Sequence, residues 1–137
     1  MADEQTILPR PNAQLMVEYV RSRTRDPYDE RFAAAPSANR PVPVKGNGPS
    51  VDFYWVPRKL RPFDVASAES VKVDAMRGVA EALLEQLESR GDVEVEVVPQ
   101  GSRPTCFRLR FTSDHVQPED IDAILDRIND RGRSRFG

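Results

Sequence analysis

Cysteine and histidine are almost missing from this sequence, each occurring once among 137 residues, as Cys106 and His115. A lone cysteine excludes an internal disulfide and suits a reducing compartment. One Cys and one His supply neither the number nor the spacing of a zinc site. A Cys106–His115 nucleophile pair lacks an evident orienting third group, and Cys106 beside Phe107 reads as a small hydrophobe. His115 reads as a structural or solvent-facing imidazole. Charge of one sign is lacking too: charged residues make up 31%, yet the formal net charge is −2. Such a balance gives no field to gather nucleic acid or an anionic membrane surface. Arg127, Arg131, Arg133 and Arg135 are interleaved with Asp126 and Asp130, the pattern of a solvated helix face and tail. No apolar run approaches the length of a membrane span, and no basic-then-apolar leader opens the sequence. The cytoplasm is the expected compartment.

What is present is clearest at Cys106–Phe111. Phe107, Leu109 and Phe111 alternate with Arg108 and Arg110, the period of a strand with one greasy and one charged face. An arginine presents a planar fork of donors that fits a carboxylate. Most strand arginines do no more than face water or pair with a neighbouring acid, so the pattern by itself leaves both readings open.

The rest of the chain divides by composition. Over residues 9–22, Leu15, Met16, Tyr19 and Val20 recur at helical spacing, with Asn12 as the expected N-cap. Residues 34–50 are rich in Pro, Ala and Gly and read as a loop. Lys45-Gly46-Asn47-Gly48 has the wrong spacing for a phosphate loop. Val51–Val56 reads as an aromatic strand stopped by Pro57. A single helix is expected over residues 69–90, with Val73, Met76, Val79, Ala80, Leu83, Leu84 and Leu87 as its apolar stripe and Gly91 at its C-cap. Val93, Val95 and Val97 alternate with Glu94 and Glu96, a half-buried strand, and a turn follows over residues 99–104. The last helix starts near Pro118, with Glu119 and Asp120 at its positive end and Ile121, Ile124, Leu125 and Ile128 on its buried face.

These periods favour an α+β fold, a small antiparallel sheet of about three strands with helices on one face, over residues 51–137. Residues 1–50 read as a helix and an extended Pro/Gly-rich arm that packs on a partner. No lysine stands in an activating context, whether Lys45 in the loop, Lys59 beside Arg58 or Lys72 at a helix start.

Taken together, Phe53–Arg61, then Pro99-Gln100-Gly101, Cys106–Leu109 and Pro118–Asp122 resemble the C-terminal region of the pyridoxal-phosphate-dependent group II amino acid decarboxylases, the glutamate and cysteine sulfinate decarboxylase branch above all. Those enzymes carry an aromatic strand of the form FWY-[IV]-P-x-x-LR, a long helix, a strand ending in a Gly turn, an FFR strand and a final helix opening near D-I-D. The order and spacings agree over residues 51–132, and the first helix corresponds to one just upstream. The resemblance implies the small C-terminal domain of a fold-type I pyridoxal enzyme. Family members run to several hundred residues. Their large domain carries the Schiff-base lysine, the Asp that pairs with the pyridine nitrogen and the phosphate-binding residues, and none of these is found here.

The resemblance therefore implies a decarboxylase in two pieces, this chain being the small subunit and a separate large subunit holding pyridoxal 5′-phosphate. The family's dimeric habit implies a heterotetramer, acting on a small amino acid. By the same resemblance the arginine of the FFR strand binds a substrate carboxylate, and that position is Arg108. Bidentate binding would anchor the substrate so that the bond to be broken faces the cofactor ring. The family gives Arg110 no such role. Two other readings stay open: a non-enzymatic assembly or adaptor domain, and a regulatory pseudo-subunit of an intact decarboxylase.

Overall fold

A computed structural model describes residues 11–26, 28–35, 50–87, 93–112 and 115–137. Its elements run α1 (Pro11–Thr24), β1 (Phe32–Ala34), β2 (Ser50–Trp55), a 3-10 turn (Arg58–Leu60), α2 (Ser70–Met76), α3 (Val79–Leu84), β3 (Val93–Gln100), β4 (Arg103–Phe111) and α4 (Pro118–Phe136). The strands form one four-stranded sheet in the order β1-β2-β4-β3, every pairing antiparallel. The α+β class is thus as the sequence predicts, with one strand more than the expected three.

Alternation along the strands sorts the residues between two faces. Val51, Phe53 and Trp55 of β2, with Phe107, Leu109 and Phe111 of β4, turn to one side and are almost wholly buried. There α1 contributes Met16, Val17 and Val20, α3 contributes Val79, Ala80 and Leu83, and α4 contributes Ile121, Ile124, Leu125 and Ile128. Phe53 stacks on Phe107 with ring centroids 5.7 Å apart. A smaller cluster gathers the alternate positions at one end of the sheet. It joins Tyr54, Val56 and Cys106 to Phe63 and Val65 of the connecting segment and to Met76 of α2.

Three sequence expectations meet a different structure. The helix predicted over residues 69–90 is two short helices, α2 and α3. Arg77 is extended (φ −64°, ψ 137°) and Gly78 is left-handed (φ 80°), a conformation glycine adopts without a Cβ clash. The break splits the apolar stripe, Val73 and Met76 joining the small cluster while Val79, Ala80 and Leu83 join the large one. The Gly91 cap lies outside the described residues. At the hairpin the strands reach further than predicted, since Gly101 (φ 67°) closes a two-residue turn between Gln100 and Arg103. Pro99 is accommodated because β3 is an edge strand with a register irregularity there. At the N-terminus the helix opens at Pro11, which places Asn12 within it rather than at its cap.

Within the expected arm, the described residues 11–26 and 28–35 pack on this chain's own sheet. Val20 is fully buried, and Phe32 meets Phe53 edge-on at 5.8 Å. Strand β1, falling partly in a segment read as loop, carries no sequence signature beyond Phe32. The arm's residues 1–10 and 36–49 lie outside the described residues. Tyr19 and Arg23 of α1 both donate to the Asp122 carboxylate of α4, the tyrosine at 2.7 Å. The second Asp of the D-I-D segment is thereby a tie between helices. Among the described residues, no helix is long and apolar enough to cross a membrane.

Candidate functional site

Arg108 lies on β4, a central strand, directly between Asp52 on β2 and Glu96 on β3. Its neighbours Phe107 and Leu109 are fully buried on the opposite side, so the backbone beneath it is pinned by the core. Arg110 occupies the next row on the same face, between Ser50 and Glu94. The strand and the shared face are as its alternation predicts.

What the sequence did not bring forward is Asp52. Its carboxylate accepts two parallel bonds from Arg108, Nε to Oδ1 at 2.7 Å and Nη2 to Oδ2 at 3.0 Å. Asp52 is 3% exposed and the Arg108 side chain 20%. The bonded Asp52 carboxylate holds the Arg108 guanidinium above its ordinary pKa against the opposing effect of burial, with Glu96 adding a smaller attraction. A buried carboxylate with this fork-on-fork geometry is one of the strong ion-pair arrangements. The signal was available: in Val51–Trp55, Asp52 has the parity of Tyr54, hence the side opposite Phe53, and an antiparallel partner for β4 must set some residue against Arg108.

Arg110 is engaged as well. It donates to Glu94 at 3.0 Å and to Glu96. The face therefore carries a ladder running Asp52–Arg108 in one row and Glu96–Arg110–Glu94 beside it, signs alternating. Opposite charges set across strands are individually worth a few tenths to 1 kcal/mol.

The remaining residues singled out in the sequence have structural settings. Cys106 is fully buried in the small cluster and receives a bond from Gln100 Nε2 at 3.4 Å. Tyr54, in the same cluster, donates to the Pro104 carbonyl at 3.2 Å, and burial pushes its hydroxyl pKa up. His115 is exposed ahead of α4. Arg61, the arginine of the P-x-x-LR stretch, donates Nε to the Val56 carbonyl at 2.8 Å and lies over the Trp55 ring at 5.7 Å. It closes the turn after β2, and burial lowers its pKa. Among the described residues no group of three His, Cys, Asp or Glu side chains is placed to hold a metal ion.

A cleft of about 600 Å³ lies between the end of α1, β1 and the Pro62–Asp64 stretch, lined in part by Asp26, Asp29, Glu30 and Asp64. It contains none of the sequence-predicted site residues. Its Asp29 carboxylate is held by a bidentate pair with Arg31, 2.8 Å to each oxygen, and that bond lowers the Asp29 pKa.

Pyridoxal phosphate requires a lysine amine and a phosphate cradle. Of the described lysines, Lys59 is exposed on the turn after β2, and Lys72 donates to the Pro62 carbonyl at 3.1 Å. Lys45 lies outside the described residues. Neither described lysine fits the Schiff-base role, so the described residues supply no amine to hold the cofactor. No protein-family model matches this chain, and no curated protein matches it either.

Proposed function

We propose that the chain is the small subunit of a heteromeric, cytoplasmic, pyridoxal-phosphate-dependent amino acid decarboxylase. In this reading the lysine and the cofactor belong to a separate large subunit, in a heterotetramer, and Arg108 binds a carboxylate of the small amino acid substrate. The observation that carries it is the setting of Arg108. The residue that the decarboxylase resemblance singles out stands on a central strand, backed by fully buried Phe107 and Leu109, with its guanidinium fixed rather than sweeping solvent. A binding group held on a rigid element is what orienting a substrate requires. The succession of β2, β3, β4 and α4 is compatible with the resemblance, while two short helices, α2 and α3, stand where the family has one long helix.

Co-expression with a decarboxylase chain that lacks its own C-terminal domain tests the proposal. A yellow complex, absorbing in the Schiff-base region and turning over an amino acid only when both chains are present, is the expected outcome. Two colourless chains that do not copurify would contradict it.

One observation favours a second reading. Arg108 already has an internal carboxylate in Asp52, which is what an assembly module with a purely structural ion pair would show. Under that reading the complex forms with an unrelated partner, and Arg108 substitutions change stability alone. A large chain fully active by itself would point instead to a regulatory pseudo-subunit.

A further inference from the structure

The Asp52–Arg108 pair uses only one side of the guanidinium. An arginine has five N–H donors, arranged so that a carboxylate can approach the Nε/Nη2 edge or the Nη1/Nη2 end. Asp52 takes the first of these edges. Among the described residues Arg108 has no other hydrogen-bond partner, and its side chain keeps 20% exposure. Asp52, at 3% exposure, would give up a two-point ion pair from a buried position by vacating that edge, which is disfavoured. An incoming carboxylate therefore has to meet the Nη1/Nη2 end.

A second group could compete for that end. Glu96 faces Arg108 across the β3–β4 pairing, but its carboxylate is bonded to Arg110. Arg110 draws the nearest alternative acid away from Arg108 and also engages Glu94. Among the described residues, the charged groups on this face beside Arg108 are Asp52 from β2, Glu94 and Glu96 from β3, and Arg110 on β4 itself.

We propose that Asp52 is a positioning residue, gripping the Nε/Nη2 edge of Arg108 so that its Nη1/Nη2 end is presented to a carboxylate of the substrate, while Arg110 keeps Glu96 from occupying that end. This rests on the functional reading above, since it names how the substrate-binding arginine would be held. It also assigns two roles that the decarboxylase resemblance does not give.

The test uses the full chain labelled with ¹⁵N-arginine and acetate as the probe, with chloride at matched ionic strength as control. In the wild-type chain the Arg108 Nε–H signal is expected to be slowly exchanging and unmoved by acetate, while its Nη signals shift in proportion to acetate and not to chloride. Asp52→Asn, which keeps the side-chain shape, is expected to speed Nε–H exchange at least tenfold. Arg110→Ala is expected to weaken the acetate response at Nη several-fold by freeing Glu96, and Arg110→Ala with Glu96→Gln to restore it. Acetate that displaces the Nε–H bond, or that moves neither edge, overturns the proposal. So does unchanged Nε–H exchange in folded Asp52→Asn. The wild-type arm decides the point even where a variant fails to fold. None of these signals needs the large subunit, so an acetate response without any decarboxylase activity would sink the functional reading and leave the carboxylate site standing.

Discussion

Two adjacent rows on one side of the same sheet have opposite chemistry. In one, Tyr54 of β2 and Cys106 of β4 are buried under Phe63, Val65 and Met76. In the other, two residues along the same strands, Asp52 and Arg108 face each other as a bidentate ion pair. The strands are the same, so the difference lies in the side chains and in what covers them. At the apolar end the connecting segment and α2 fold over and exclude water. At the charged end the side chains neutralise one another and keep the arginines about one-fifth exposed. A sheet face can thus be stabilised in two ways at once, and only the second leaves a polar group in reach of a partner.

The comparison breaks most severely if a charge is moved to the covered end. Cys106→Asp would bury a carboxylate at a fully buried position whose register partner on β3 is the apolar Val98. A loss of about 4 kcal/mol or more is expected, seen as loss of a cooperative urea transition. Asp52, of the same chemical type on the same face, is tolerated because its partner is in place.

At the charged end, Arg108→Ala removes that partner and should cost about 2–4 kcal/mol in urea unfolding, somewhat less than a fully buried pair because the arginine is partly exposed. Replacing both members, Asp52→Leu with Arg108→Leu, should return stability to within about 1 kcal/mol of wild type, making the charged row resemble its neighbour. A double variant as unstable as the single one would show that the pair is not the reason for the cost.

The helical side supplies a third reference point. Gly132 of α4 lies against Trp55, and a Cβ there would come within 2.5 Å of two indole ring carbons. The indole is held in place by its Nε1–H bond to Asn129 Oδ1 at 3.1 Å. Gly132→Ala is therefore expected to lose about 1–3 kcal/mol by overpacking, although alanine is the better helix former. A shift in Trp fluorescence would accompany the loss, and unchanged or raised stability would contradict it.

The smallest expected effect is at Asp29–Arg31, more exposed than Asp52–Arg108. The Asp29 pKa is lowered in the folded chain by its bond to Arg31. A depressed carboxylate contributes stability above its unfolded pKa, near 4, and loses it as pH falls through the folded value. Screening limits this to less than about 1 kcal/mol. Wild type should lead Asp29→Asn slightly at pH 6, with the gap closing below pH ~4.

Much of this arrangement is legible in the residues. The alternation in Cys106–Phe111 and Val93–Val97 sets both strands and their faces, and Pro118 with its acidic followers sets the start of α4; the Asp120 carboxylate accepts the Gln117 N–H at 3.0 Å. The break at Gly78 was hidden because the apolar stripe keeps helical spacing across it. Only the glycine marked it, and a glycine inside a periodic segment is an ambiguous sign. Strand β1 was hidden because three residues, two of them alanine, carry too little pattern. Asp52 was hidden for another reason: an acid among aromatics is an exception to burial, and its meaning lies in the register partner rather than in its own neighbours.

The most direct measurement of the central claim is steady-state kinetics of the copurified complex carrying Arg108→Lys. Lysine keeps the positive charge opposite Asp52 but lacks the planar fork. The chain should therefore still fold, copurify and leave the cofactor absorbance intact. The account predicts that KM for the amino acid rises at least tenfold, about 1.4 kcal/mol of lost binding. Unchanged kcat and KM would contradict it and leave Arg108 as a structural ion pair.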